Sequence, residues 1–156
     1  MAEPKSDRYR SIGENRQARH NYFILETYEA GIELKGSEVK SLREGGVQLK
    51  EGYAHVENGE MFLEGVHISP YSHSRKEEAQ PVRTRRLLMH RREIHRIHAE
   101  LQQKRLTLVP LRIYFKNGRA KLELGLAKGK KTFDKRASIK ERELRRSLER
   151  VQRPRR

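Results

Sequence analysis

The sequence contains no cysteine and only two aspartates, Asp7 and Asp134, among its 156 residues. Without cysteine there are neither disulfide bonds nor thiolate metal ligands, which fits a reducing compartment. No apolar run approaches the roughly 18 residues of a membrane-spanning helix. The polar residues 1–15 also lack the apolar centre of a secretory signal. We therefore expect a soluble, cytoplasmic protein with no membrane partner.

Residue patterns typical of catalysis are also missing. The sequence has no HExxH, Walker or GxSxG motif. His95 and His98 are spaced i, i+3 on a predicted helix, but no third ligand follows at a suitable spacing. Glu29, Glu33 and Glu38 are too dispersed to form the carboxylate cluster of a metal-dependent nuclease. We predict no catalytic residue, no metal site and no cofactor, and hence a protein that is not an enzyme.

Positive charge is the strongest bulk property of the chain. Lys and Arg number 36 against 21 acids, for a net charge of +15, of which residues 130–156 carry +8. Such an excess favours binding to polyanions through phosphate neutralisation and counterion release. A tail that only aids solubility is the simpler alternative. An anionic membrane is less favoured, since no aromatic-rich apolar face accompanies the charge.

The apolar pattern predicts a mainly β fold. Alternating residues begin at Tyr22, and two hairpins are marked by Asn58-Gly59 and Asn117-Gly118, which suit the positive φ angles of a type I′ turn. The stretch Ser69–Arg86 indicates a long loop, and Arg91–Lys104 has helical spacing. Several short strands with inserted helices predict a small closed antiparallel β-barrel with two or three flanking helices. We expect residues 1–14 to be flexible.

The basic tail, residues 130–156, has the pattern of a marginal helix. Ser138 and Glu141 form a potential capping box, and Leu144, Leu148 and Val151 make a narrow apolar stripe. A stripe this thin cannot stabilise an isolated helix. We expect the tail to be disordered when free and to become helical on a binding partner.

Several segments in order, covering about residues 15–145, resemble the SsrA-binding protein (SmpB) family, the partners of transfer-messenger RNA (tmRNA). The resemblance rests on Asn15–His20, Glu29–Gly31, Gly36–Arg43, His67–Tyr71, Thr84–Leu88, Leu108–Leu111, Tyr114–Gly118, Ala127–Lys131, Asp134–Arg136 and Ile139–Arg142. It implies an oligonucleotide-binding (OB) barrel over residues 15–129. It also implies rescue of stalled ribosomes by trans-translation, with a monomer that delivers the tRNA-like domain of tmRNA.

The resemblance also implies a set of RNA-binding residues in the barrel, namely Asn15, Arg19, Glu29, Leu88 and Lys121. Asn15 and Arg19 would meet the RNA backbone, although a capping role in a loop is the alternative. Glu29 would act indirectly or on a base edge, although a solvated acid at the end of a strand is the alternative. Leu88 would pack on an unstacked base, although without the resemblance it would be assigned to the core. Lys121 would contact a phosphate, or be a plain solvated charge.

The resemblance implies a second site in and before the tail, for the decoding centre and the empty mRNA channel of the small ribosomal subunit. Gly129 would be a hinge, Phe133 would stack near the decoding centre, and the cations would meet ribosomal RNA phosphates. The predicted residues are Lys128, Gly129, Lys130, Lys131, Phe133, Asp134, Lys135, Arg136, Lys140 and Arg142. The residue patterns alone leave two alternatives open, a structural ribosomal protein and an RNA-modifying enzyme.

Overall fold

The computed structural model describes residues 9–72, 80–130 and 132–152, without the side chains of 132–134, 138, 151 and 152. Its sheet contains seven strands in the order β1-β8-β4-β5-β7-β2-β9, and a further pairing of β8 with β9 closes it into a ring. All the pairings are antiparallel. The predicted closed antiparallel barrel is therefore confirmed.

The strands of the ring and its edge are β1 (Tyr9–Glu14), β2 (Tyr22–Ile32), β4 (Tyr53–Glu57), β5 (Glu60–Glu64), β7 (Arg85–Leu88), β8 (Thr107–Lys116) and β9 (Arg119–Gly129). Two short strands, β3 (Val47–Gln48) and β6 (His67–Ile68), pair separately. Four helices accompany them: α1 (Arg16–Asn21), α2 (Gly36–Arg43), α3 (Arg91–Lys104) and α4 (Thr132–Gln152). None of the helices in the described part of the chain is long and apolar enough to cross a membrane.

Strand β8 pairs with three strands, namely β1, β4 and β9. Since β1 precedes residue 15, the barrel domain begins earlier in the chain than the sequence predicts. The first half of β8 lies beside β4 through the Ala54–Leu108 pair, while its second half pairs with β1. Residues 9–14 thus form an edge strand, although the sequence predicts flexibility for residues 1–14, of which 1–8 lie outside the described residues. The strand was hard to predict because only Ile12 packs against the main core, and the other residues are mostly exposed.

The core fills the barrel and extends under α2 and α3. It is made of alternating apolar residues from the long strands, exemplified by Ile113, Leu122 and Leu124, all fully buried. Ile94 and Ile97 of α3 join this core, as their helical spacing predicts. A smaller cluster beneath α1 contains Ala18, Val109, Leu111 and Ala127.

Both hairpin turns have the backbone predicted from Asn-Gly. Asn117 and Gly118 have φ angles of 54° and 76°, and Asn58 and Gly59 have 51° and 76°. Positive φ at both central residues defines the type I′ turn, whose twist matches that of the strands. The predicted turn type is therefore confirmed at both sites.

Replacing Gly118 with valine should destabilise the barrel by about 1–2 kcal/mol, because a β-branched residue is strained at positive φ. The measurement is the thermal unfolding midpoint of the full chain. Gly129→Val is the matched control, since a Cβ at either glycine would meet open space and only Gly118 has a positive φ. Equal midpoints for the two variants would show that the turn imposes no such requirement.

A buried ion network fixes the start of β7. Arg85 is only 1% exposed. Its Nε donates to Glu38 Oε2 at 2.8 Å, and its Nη1 donates to the Val66 carbonyl at 2.9 Å. Arg83 Nη2 donates to Glu38 Oε1 at 2.5 Å. Helix α2, which carries Glu38, thereby anchors the segment that enters β7. The predicted loop Ser69–Arg86 ends earlier than expected, since β7 begins at Arg85.

Two helices differ from what the sequence pattern predicts. Helix α1 was not predicted, because it spans only six residues and has no apolar periodicity beyond Ala18. Helix α4 begins at Thr132, six residues before the predicted start at Ser138. Ile139, Leu144 and Leu148 of α4 are exposed, so the apolar stripe of the tail buries little surface.

Candidate nucleic-acid interface

Three of the predicted RNA-binding residues line one groove on the outside of the barrel. Glu29, Leu88 and Lys121 border a space of about 620 Å³ between β2, β9 and the start of α3. The other lining residues are Thr27, Tyr28, Gly31, Met89, His90 and Glu93. We call this space the Leu88 groove.

Strand register brings these side chains together from distant parts of the sequence. Gly31 of β2 pairs with Leu88 of β7 on one side and with Lys121 of β9 on the other. Glu29 lies two residues earlier on β2, on the same face. A Cβ atom at Gly31 would lie 3.2 Å from the Cβ of Leu88. Glycine therefore allows the leucine side chain to lie close against the β2 backbone.

Leu88 is an apolar surface residue, with 51% of its area exposed. Its strand neighbour Leu87 points inward and is buried, so the alternation of β7 directs Leu88 outward. An exposed leucine of this kind offers a face on which an unstacked base can pack. The interpretation of Leu88 as a core residue, which sequence pattern alone favours, is wrong.

Glu29 is held by two donors. The Tyr114 hydroxyl donates to Glu29 Oε2, and Lys116 Nζ lies 3.5 Å from the same oxygen. The hydrogen bond from Tyr114 is the main reason that the pKa of Glu29 is lowered from its ordinary value, and Lys116 and Lys121 add to it. Oε1 has no partner within the described part of the chain, so an ionised acceptor remains available at the groove.

Tyr114 is the organising residue that sequence reasoning left out. Its ring is 3% exposed, lies 5.0 Å from the ring of Tyr9 between centroids, and has the Arg112 guanidinium 5.1 Å from its centre. Desolvation raises the pKa of the Tyr114 hydroxyl, and its bond to Glu29 raises it further. The hydroxyl is therefore a permanent donor. Pairing of the hairpin, which places Tyr114 opposite Lys121, was the signal that could have revealed this role.

Asn15 has a structural position. It is 6% exposed, and its Oδ1 accepts from the Ala18 amide at 3.2 Å, capping α1. Its Nδ2 donates to the Pro110 carbonyl at 2.9 Å and to that of Leu49 at 3.3 Å. The side chain therefore joins α1 to β8 and to the segment before β4, as the capping alternative describes.

Arg19 lies away from the Leu88 groove, on the exposed side of α1. With Asn15, Arg16 and Arg112 it lines a smaller cavity of about 290 Å³. The five predicted residues of the barrel thus divide into two places. The shared strand β9 connects them, because Glu123 lines the cavity near Arg19 and pairs with Glu29.

Lys130 joins the body to the tail. Its amide donates to the Asn21 carbonyl at 2.9 Å, its Nζ donates to the Arg19 carbonyl at 3.2 Å, and the same Nζ lies 4.9 Å from the centre of the Phe23 ring. Lys128 and Gly129 are exposed at the end of β9. The body therefore holds Lys130, one residue beyond the predicted boundary at Gly129.

The remaining predicted residues of the tail site fall on α4 or next to it. Arg136, Lys140 and Arg142 are exposed on the helix, and Lys135 is half-buried. Phe133 and Asp134 belong to the first turn of α4, but their side chains lie outside the described part, as does all of Lys131. Within the described residues no group of three or more His, Asp or Glu could hold a metal ion.

Comparison with known proteins connects this geometry to a family. The family profile of the SmpB protein matches residues 12–154. The chain belongs to the SmpB family. It is 54% identical over 144 residues to the SsrA-binding protein of Desulforudis audaxviator (strain MP104C), which covers 92% of this chain and 94% of the relative. The SsrA-binding protein of Geobacillus thermodenitrificans (strain NG80-2) is 53% identical over 144 residues, with coverage of 92% and 93%.

A solved structure from the same family has a similar fold. It is described as "tmRNA-SmpB: a journey to the center of the bacterial ribosome", and its matching chain is 53% identical in sequence. The superposition has a TM-score of 0.66 and covers 78% of this chain and 86% of the other. The OB-like barrel implied by the family resemblance is confirmed.

Proposed function

We propose that this chain binds the tRNA-like domain of tmRNA, delivers it to stalled ribosomes and enables trans-translation. The observation that carries the proposal is the Leu88 groove, where an apolar face, a cation and an ionised acceptor converge in a member of the SmpB family. Such a function places the protein in the cytoplasm, as a monomer bound to RNA. It needs no catalytic group, and we propose that the protein is not an enzyme.

Each groove residue has a distinct part in RNA binding. Leu88 supplies an apolar surface for a base that has left its stack, and Lys121 neutralises a phosphate beside it. Glu29 uses Oε1 to accept from a base amino group or a ribose hydroxyl, while Tyr114 and Lys116 hold Oε2. An acid can be tolerated at an RNA surface in this arrangement, because neighbouring cations offset its charge.

The residues near α1 act by a different route. Arg19 contacts the RNA backbone from the exposed side of α1. Asn15 supports it indirectly, because its three side-chain hydrogen bonds fix where α1 begins. We therefore assign Asn15 to positioning of Arg19 and Arg16 rather than to direct contact with RNA.

We further propose that the tail, from residue 131 onward, occupies the mRNA channel left empty on a stalled ribosome. Its 21-residue helix would reach about 30 Å at 1.5 Å per residue, so it cannot share that space with mRNA. Phosphates along the channel would neutralise Lys135, Arg136, Lys140 and Arg142. The apolar stripe of α4 buries little surface. We therefore propose that the helix becomes stable only in the mRNA channel, and that NMR of the free protein gives random-coil shifts for the tail.

Lys121→Ala and Leu88→Ala should weaken binding of the tRNA-like domain in different ways. Loss of Lys121 should weaken it and also reduce the salt dependence of the affinity by roughly one phosphate contact. Loss of Leu88 should weaken it with little change in that dependence, because packing rather than charge is removed. A gel-shift series over salt concentration measures both quantities. Wild-type binding by both variants at every salt concentration would show that the groove is not the site.

A further inference from the structure

A second concave space adjoins the Leu88 groove on the other side of β7. It has a volume of about 860 Å³ and lies between the tip of the β4–β5 hairpin, β7 and α3. Its apolar lining includes Met61, Leu87 and Ile94, all buried core residues. We call it the α3 cleft. Of the RNA-binding residues predicted from the sequence, Leu88 alone lines it.

The rim of the α3 cleft is strongly cationic. Arg86, Arg91 and Arg92 line it together with His95, against a single acid, Glu60, which is already paired with Arg86 at 3.0 Å. In the described part of the chain neither Arg91 nor Arg92 has an acidic partner. An apolar lining edged by guanidinium groups matches a flat aromatic ring linked to a phosphate.

The cleft is continuous with the Leu88 groove. Leu88 and Met89 line both spaces and form the ridge that divides them. On β7, Arg86 and Leu88 are both exposed and two residues apart, so their side chains point the same way at a separation of about 7 Å. A polynucleotide whose base packs on Leu88 can therefore continue directly into the cleft.

We propose that the α3 cleft binds a second unstacked nucleotide of the same RNA strand, with Arg91 and Arg92 contacting its phosphate. The inference rests on the proposed function, since it assigns a further part of the RNA to the barrel. A base in this cleft would make the recognised segment at least two nucleotides long, crossing the Leu88–Met89 ridge. An acidic protein surface is the competing occupant, but it would leave the apolar lining unused.

The binding test uses the full chain with the double variant Arg91→Ala/Arg92→Ala. Affinity for the tRNA-like domain should fall about tenfold or more, because hydrogen bonds to a charged phosphate are lost. The salt dependence should fall by the equivalent of one to two phosphates. The matched control is Arg96→Ala together with Arg105→Ala, which removes the same charge from α3 and its end without touching the cleft.

A directed-cleavage experiment locates the RNA. Because the chain has no cysteine, His95→Cys introduces one attachment point in the cleft for a tethered iron chelate. Hydroxyl radicals should cut nucleotides adjacent to those whose footprint is lost in Leu88→Ala. Cleavage elsewhere, or binding by Arg91→Ala/Arg92→Ala equal to that of the control pair, would overturn the proposal.

The outcomes separate this inference from the proposed function. If the wild-type chain fails to bind the tRNA-like domain, the proposed function fails. If the wild type binds, and Lys121→Ala weakens binding while Arg91→Ala/Arg92→Ala does not, only the α3 cleft is rejected. Unchanged RNA affinity with a loss of ribosome association would instead indicate that the cleft contacts the ribosome, and would also contradict the proposal.

Discussion

A chain that ends at Lys130 should bind tmRNA nearly as well as the full chain and yet support no peptide tagging on stalled ribosomes. The Leu88 groove and the surface of α1 belong to residues that precede the cut. The missing segment carries α4 and most of the charge excess of the tail. Truncation at this position should therefore abolish tagging without abolishing tmRNA binding.

The position of the cut matters because Lys130 is held by the body. A cut after Gly129 would remove its bonds to Asn21 and Arg19 and its contact with Phe23. These contacts hold α1 in place. A chain that ends at Gly129 should therefore bind tmRNA more weakly, in addition to losing the tail. A chain ending at Lys130 keeps these contacts.

The measurement is tagging of a truncated nascent protein in a reconstituted translation system, with tmRNA affinity measured in parallel. A chain ending at Gln152 serves as the control, since it loses three arginines but keeps all of α4. We expect full tagging from the control. Normal tagging by the chain ending at Lys130 would contradict the assignment of the tail to the mRNA channel.

Glu38→Ala should destabilise the barrel by about 3–5 kcal/mol, since it leaves the buried Arg85 guanidinium without its anion. Carbonyls of Val66, Pro81 and Arg83 would still accept from Arg85, but they cannot neutralise it. The loss should be measured as the free energy of unfolding in urea. Glu33→Ala is the control, because Glu33 is exposed and its hydrogen bonds within the described part of the chain involve only its backbone. It should change this free energy by less than about 0.5 kcal/mol. Equal values for the two variants would contradict the role of the network.

The same network gives a pH dependence with a defined sign. Burial alone would raise the pKa of Glu38, but donors from Arg83, the Lys35 amide and Arg85 outweigh it and lower the pKa. A lowered pKa in the folded state adds stability above the ordinary glutamate pKa, which is lost as the pH falls through the folded value. The difference between wild type and Glu38→Ala should therefore narrow in acid. A constant difference down to pH 2 would contradict this assignment.

Much of the fold was predictable because its signals are local. The Asn-Gly turns and the i, i+3 spacing of Ile94 and Ile97 each reflect a single element. The barrel followed from counting such elements. Strand β1 and helix α1 were not predicted because both are short and polar, and contacts with segments distant in sequence, such as β8, hold them in place.

The candidate site could be predicted from the resemblance to the SmpB family, but not from the residue patterns alone. An exposed leucine such as Leu88 cannot be told from a core leucine until the register of β7 is known. Tyr114 packs within the barrel, as aromatic strand residues usually do, but its hydroxyl also fixes Glu29. The α3 cleft joins segments that lie about thirty residues apart, so no sequence window contains it.

The most direct measurement of the central claim is identification of the RNA that co-purifies with the tagged full chain from cells with and without induced ribosome stalling. An adaptor should bring down tmRNA in near-equal molar amount, and ribosomal RNA should join it mainly when ribosomes stall. Lys121→Ala should lower the tmRNA yield. Ribosomal RNA recovered in constant proportion under both conditions, without tmRNA, would contradict the account and indicate a structural ribosomal protein.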